Sequence, residues 1–324
     1  VSKRTETVDV ILDGLMRRYQ ERVPDVAKVI NLMVENKLIN SVEDIENDHI
    51  AFRTLGVPQL GIQSFEKMFL HCGYEKRDAY KFETKKLDAF WYSPPKPYLP
   101  RIFVSELRVG DLSPEAQTII ASYANEVESD PVDELDLNDG IAVDKFLHSP
   151  LWRTPTWNDY QRLADESEYA AWVIYNRYYL NHFTISVHGL AESHNTIEKF
   201  NVFLEAGGLK LNDSGGKAKT SADGLLIQSS TIAEMVEASF DDGNGGFETH
   251  SIPGSYVEFA ERRVKPDVQL KEGETADRND RRDGFEAANA DKIFESTYRD
   301  QTEKRKVDFG VGIVRHSELV RACE

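Results

Sequence analysis

The chain has 324 residues, 40% hydrophobic and 29% charged, with a formal net charge of −17 and a pI near 5.0. That is enough chain to bury a large core, and its acidic surface makes nucleic acid and anionic membranes poor partners. Two cysteines, Cys72 and Cys323, exclude a disulfide framework, and no apolar run approaches the roughly 18 residues of a membrane helix.

Residues 6–38 have helical periodicity: Val8, Ile11, Leu12 and Leu15 form one apolar stripe, and Val26, Val29, Ile30, Met33 and Val34 form another after Pro24. A first module follows, with strand His49–Leu55, helix Ile62–His71, a hairpin over Tyr80–Trp91 and strand Arg101–Val109. Helix Pro114–Val127 leads into the acidic stretch Glu128–Gly140, expected as a solvated loop. Aromatic-rich Leu151–Tyr179 is expected as helix. The second module runs through strand Asn181–Val187, helix Asn195–Ala206, strands over Lys219–Ser230 and Met235–Phe240, a Gly-rich turn at 242–246 and strand Ser255–Val264. Beyond it, residues 265–308 form a charged excursion around a helix over Gly284–Tyr298, and Phe309–Val314 returns as a last strand. The expected organisation is thus an N-terminal helical segment (1–47), a first module (48–127), a helical connection (128–180), a second module (181–264) and a charged C-terminal part (265–324).

The two modules are an internal repeat. Asp48-His49-Ile50-Ala51-Phe52 and Asn181-His182-Phe183-Thr184-Ile185 each open a strand with a histidine, and each following helix ends at a matching glycine, Gly73 or Gly207. Two modules facing each other would bring both histidines to one metal. A facial triad of two histidines and one carboxylate leaves positions on Fe(II) open for substrate and dioxygen. Aligning Tyr256–Val264 with Phe103–Val109 sets Glu261 against Glu106 and Glu258 against Phe103. Only Glu258 is then a carboxylate unique to one module, so His49, His182 and Glu258 are the expected ligands. Arg53, four residues after His49, should share its strand face and aim a bidentate fork into the same cavity.

Three segments, Asp48–Gly56, Asn181–Thr184 and Val257–Arg263, together resemble the 2-oxoadipate dioxygenase/decarboxylase (D-2-hydroxyglutarate synthase) family, its plant members above all. The strand–helix–three-strand repeat likewise resembles the βαβββ module of the vicinal oxygen chelate architecture. Val257–Arg263 is also similar to the ligand-bearing strand of 4-hydroxyphenylpyruvate dioxygenase, with Glu261 in place of a glutamine. The resemblance implies an α+β fold in which two βαβββ modules form a half-open barrel around Fe(II). It implies oxidative decarboxylation and hydroxylation of 2-oxoadipate to 2-hydroxyglutarate and CO2, a step of lysine breakdown, with Arg53 on the substrate's distal carboxylate. The partners are then a small 2-oxo dicarboxylic acid and dioxygen, and the implied location is a plastid. Alternatives are another metalloenzyme of this architecture, acting on an aromatic 2-oxo acid or as an isomerase or lyase, and a non-catalytic binding protein.

His250, ahead of the Glu258 strand, is a candidate for orienting a ligand or touching substrate. His188 is in phase with His182 but lies at its strand's end. His71, His148, His194 and His316 have no partner at ligand spacing, and Tyr175, Tyr178 and Tyr179 fit core packing.

Overall fold

The computed structural model describes residues 3–309. Helices α1 (Lys3–Arg22) and α2 (Pro24–Glu35) bury the stripes Val8, Ile11, Leu15, Tyr19 and Val26, Val29, Met33. Pro24 opens α2 at a position whose N–H would have no helical partner in any case. Strand β1 (Asn47–Leu55) is buried at every residue after Asn47, as expected of a central strand covered on both faces. Then come α3 (Gly61–His71), β2 (Glu75–Phe82), β3 (Leu87–Ser93) and β4 (Arg101–Leu107). β2 is mostly exposed and rich in Lys, Arg, Asp and Glu, a composition that protects a free sheet edge.

Helices α4 (Pro114–Ala124), α5 (Gly140–Phe146), α6 (Trp157–Glu166) and α7 (Glu168–Asn176) form the connection. The single helix expected over Leu151–Tyr179 is two: Ser167 is extended (φ −147°, ψ 102°) and its side chain caps α7 at Ala170 N. The acidic stretch before α5 is not merely solvated. Asp130 accepts from Ser64 Oγ at 2.6 Å and Lys67 Nζ at 2.8 Å, Val132 is buried, and Asp139 caps α5.

The second half contains β5 (His182–Ser186), α8 (Ile197–Ala206), β6 (Lys219–Thr220), β7 (Leu226–Ser230), β8 (Met235–Asp241), β9 (Phe247–Pro253) and β10 (Tyr256–Arg262). Eight strands make one sheet in the order β2-β3-β4-β1-β5-β10-β7-β6. Read outward from the central β1/β5 seam, each half has the same plan. The first strand pairs in parallel with the last (β1 with β4, β5 with β10), and an antiparallel hairpin lies outside it. This is the expected α+β repeat, a curled half-barrel. One assignment changes: Met235–Phe240 does not belong to the module. An Asp223-Gly224 turn (Gly224 φ +70°) divides 219–230 into β6 and β7, which complete the sheet, while β8 leaves it and pairs with β9.

Residues 263–286 run largely without regular structure to α9 (Ala287–Phe294), which a short 3-10 turn joins to α10 (Arg299–Phe309). Phe309 therefore ends a helix, and the remainder of the strand expected over Phe309–Val314 lies outside the described residues. No helix among the described residues is long and apolar enough to cross a membrane.

Candidate metal centre

Three neighbouring central strands each supply one ligand-type side chain. In the antiparallel β1/β5 register His49 faces Thr184, and in the parallel β5/β10 register Thr184 faces Glu258. The period of two keeps His182 and Thr184, and Tyr256 and Glu258, on one face. His182 Nε2 lies 3.0 Å from Glu258 Oε2, and His49 Nε2 lies 3.4 Å from Glu258 Oε1. One donor atom from each residue fits within 4.8 Å of the others, and all three residues are buried.

The far ring nitrogens are already engaged. His49 Nδ1 contacts Asp48 Oδ2 at 2.8 Å and His182 Nδ1 contacts Asn181 Oδ1 at 3.0 Å, so in each repeat the preceding residue holds the ring. With Nδ1–H donating outward, Nε2 presents a lone pair to the centre. On β1 this neighbour contact coincides with a bulge at Asp48, where strict alternation is relaxed. Asp48 is gripped in turn by Arg262 (Nε to Oδ1 2.6 Å, Nη2 to Oδ2 2.9 Å) and by Arg101 Nη1 at 3.3 Å. Burial would raise the Asp48 pKa, but the Arg262 and Arg101 charges bring it well below the ordinary value.

Glu258 has the same balance: burial favours the neutral acid, yet His49 and His182 reverse this and hold the carboxyl well below its usual range. Burial lowers the His182 pKa beyond what Glu258 restores, whereas for His49 the pull of Glu258 and Asp48 wins and the pKa rises. Gln228 Nε2 donates to Glu258 Oε1 at 2.6 Å, while Gln228 Oε1 accepts from Asn289 on α9 at 3.0 Å. Two imidazole nitrogens and an oriented carboxylate form a donor set that can hold one divalent ion, with one side left to the cavity.

That cavity is lined on its other side by Phe103, Phe285, Ile293 and Phe294, the last three from the charged C-terminal part. Arg53 lines it too. The side chain is 1% exposed, donates from Nη1 to Thr297 Oγ1 at 3.0 Å and from Nη2 to Phe294 O at 3.2 Å, and sits over the Trp172 and Tyr169 rings. No carboxylate among the described residues is within ion-pair distance of it. Arg53 Nε and the Tyr256 hydroxyl are both buried without a hydrogen-bond partner.

The other candidates go elsewhere. His250 is not brought to this cavity: it sits on β9, stacked on Trp157 at 4.0 Å and 3.0 Å from Glu248, because the β8–β9 hairpin has left the sheet. His188 accepts from Arg262 N at 3.2 Å in a separate pocket. His71, His148 and His194 contact Asn138, the Asp144 carbonyl and Ser193. Cys72 is buried, its thiol pushed up to about 11 by burial. Tyr178 packs edge-on against Phe65, and Tyr175 accepts from Ser239 N. His316 and Cys323 lie outside the described residues.

Sequence reasoning missed Gln228, Tyr256, the aromatic wall and the roles of Asp48 and Asn181. Only the last two left a signal, since a hydrogen-bonding residue precedes the histidine in both copies.

The model of the 2-oxoadipate dioxygenase/decarboxylase family matches residues 11–270. A 2-oxoadipate dioxygenase/decarboxylase of Arabidopsis thaliana, described as chloroplastic, is 43% identical over 308 residues, which cover 91% of this chain and 78% of the relative. The crystal structure of hydroxyglutarate synthase from Oryza sativa, in complex with 2-oxoadipate, superposes with a TM-score of 0.82 at 40% identity, covering 94% of this chain and 96% of that one. A protein of Ralstonia eutropha described as belonging to the glyoxalase superfamily shares the fold at 20% identity, with a TM-score of 0.64 over 81% of this chain and 83% of its own.

Proposed function

Because this chain belongs to the 2-oxoadipate dioxygenase/decarboxylase family, we propose that it converts 2-oxoadipate and dioxygen to D-2-hydroxyglutarate and CO2. The stoichiometry balances: one oxygen atom of O2 ends in the new carboxylate and the other in the new hydroxyl. The observation that carries the reading is that His49, His182, Glu258 and Arg53, all buried, line one cavity with an aromatic wall.

His49, His182 and Glu258 would hold Fe(II), which supplies a place for the 2-oxo acid and the redox chemistry of dioxygen. Asp48 and Asn181 keep the imidazoles in the binding tautomer, and Gln228 fixes the Glu258 carboxylate. Arg53 receives the distal carboxylate: it is a buried cation with an unused Nε–H, held in place by Thr297 and the Phe294 carbonyl. Fixing both ends of the substrate sets the reacting carbon beside the metal, and the phenylalanine wall excludes water that would divert the reaction. An aromatic 2-oxo acid would leave Arg53 unpaired in that wall, which disfavours the alternative. A role in lysine breakdown and a plastid location belong to the same reading.

The test is oxygen consumption by the iron-loaded protein with 2-oxo acids of different chain length and with an aromatic one. Turnover of 2-oxoadipate with equimolar CO2 and 2-hydroxyglutarate is expected. Equal or better turnover of the aromatic acid would reject the assignment, and turnover without oxygen uptake would reject the reaction class.

A further inference from the structure

A second cavity opens where β1 and β4 begin and β10 ends, roofed by residues 275–281 of the charged excursion. Four arginines line it, in a chain whose net charge is −17. Arg262 is spent: Nε and Nη2 are on Asp48, and Nη1 is on the carbonyls of Arg282 and Gly284. Arg281 Nη1 is on the Arg262 carbonyl. The other two are not fully used. Arg101, 2% exposed, donates from Nε to Asp283 and from Nη1 to Asp48, but its Nη2 is buried without a partner. Arg278 donates from Nη1 to the carbonyls of Pro97 and Leu99, and its Nη2 is likewise buried without a partner.

The carboxylates nearby do not meet this demand. Asp48 is already shared among His49, Arg262 and Arg101, while Glu46 and Asp277 lie at the exposed rim, and Asp277 Oδ1 accepts from Asn279 N and Asp280 N. Burial is the main cause that lowers Arg101 to about 10 and His188 to about 4; Arg262 adds to it at Arg101 and Arg281 at His188, while Asp48 opposes it at both. A buried guanidinium N–H without an acceptor is costly, and two arginines that line one cavity each carry such a group, a demand that an oxyanion would meet.

We propose that this pocket binds a small oxyanion, a carboxylate or a phosphate, through the guanidinium groups of Arg101 and Arg278, and so pins the 275–281 segment to the sheet. The site is a different cavity from the metal's, and it gives the 275–281 segment a role that the proposed reaction does not use.

Calorimetric titration of the metal-loaded full chain with inorganic phosphate, and separately with succinate, at constant ionic strength tests this. Saturable binding of at least one is expected, and which one binds identifies the class. Ala276→Glu adds a tethered carboxylate at a residue that lines the pocket, and should weaken binding roughly tenfold or more. Arg278→Ala should do the same, and Arg53→Ala should leave it unchanged. Trypsin cleavage after Arg278 and Arg281 should slow when the anion is present. No saturable binding of either anion, undiminished binding to Ala276→Glu, or binding abolished by Arg53→Ala would each overturn the proposal.

Discussion

Glu106 and Glu261 make the same contact in opposite halves of the molecule. Glu106 Oε2 accepts the backbone N–H of Ile62 at 2.8 Å and Glu261 Oε2 that of Ile197 at 2.9 Å, each in the first turn of its module's helix. A carboxylate at that end satisfies an otherwise unpartnered donor and complements the helix dipole. The equivalence sets the repeat's register: three residues earlier, Phe103 in β4 corresponds to Glu258 in β10, so one half offers a phenyl ring where the other offers a ligand.

We expect Glu106→Ala and Glu261→Ala each to cost about 0.5–2 kcal/mol of stability, the range for losing a helix cap, while metal content stays at the wild-type level. Denaturant unfolding and elemental analysis check this. Loss of metal in Glu261→Ala, with metal retained in Glu258→Ala, would reverse the register and the ligand assignment.

Asp48→Asn should act twice. It weakens the partner of His49 Nδ1, which typically lowers metal affinity about 10–100-fold. It also leaves Arg262 buried against a neutral side chain, a loss on the order of 3–5 kcal/mol. Competition titration with a chelator reads the first effect and urea unfolding of the apo-protein reads the second.

Removing Arg53 tests the substrate assignment. Arg53→Ala should lower kcat/KM for 2-oxoadipate by about 30- to several-thousand-fold, equivalent to about 2–5 kcal/mol, with metal still bound. Arg53→Lys keeps the charge but not the fork and should recover only part of the loss. Wild-type kinetics in both variants would make Arg53 a structural residue.

His188 should make stability depend on acid. Its folded pKa, about 4, lies below the ordinary 6.5, so the unfolded chain binds the proton more readily. Its contribution is therefore complete above about pH 6.5 and is lost as pH falls through about 4, when the acceptor for Arg262 N is consumed. The contribution reaches about 3 kcal/mol at most. Unfolding free energies between pH 7 and 4 should fall less steeply in His188→Gln, and an identical slope would remove His188 as the cause.

How much of this was legible in the chain follows from how far apart the cooperating residues lie. The two histidines, Arg53 and the strands that carry them could be read because the period of a strand is local: residues 49, 51 and 53 share a face whatever surrounds them. The repeat added Glu258, since comparison of two copies within one chain substitutes for knowledge of the partner strand. Long-range pairing decided the rest. Gln228 reaches Glu258 only because β7 lies beside β10, and Arg101 and Arg262 reach Asp48 only because β4 and β10 flank the β1/β5 seam. His250 looked equally eligible in sequence, and was removed by a hairpin that pairs with itself instead of joining the sheet. Phe285, Ile293 and Phe294 close the cavity from a segment whose charge suggested only surface. Which apolar side chains of such a segment turn inward is settled by the shape of the core they meet, and no local period records that shape.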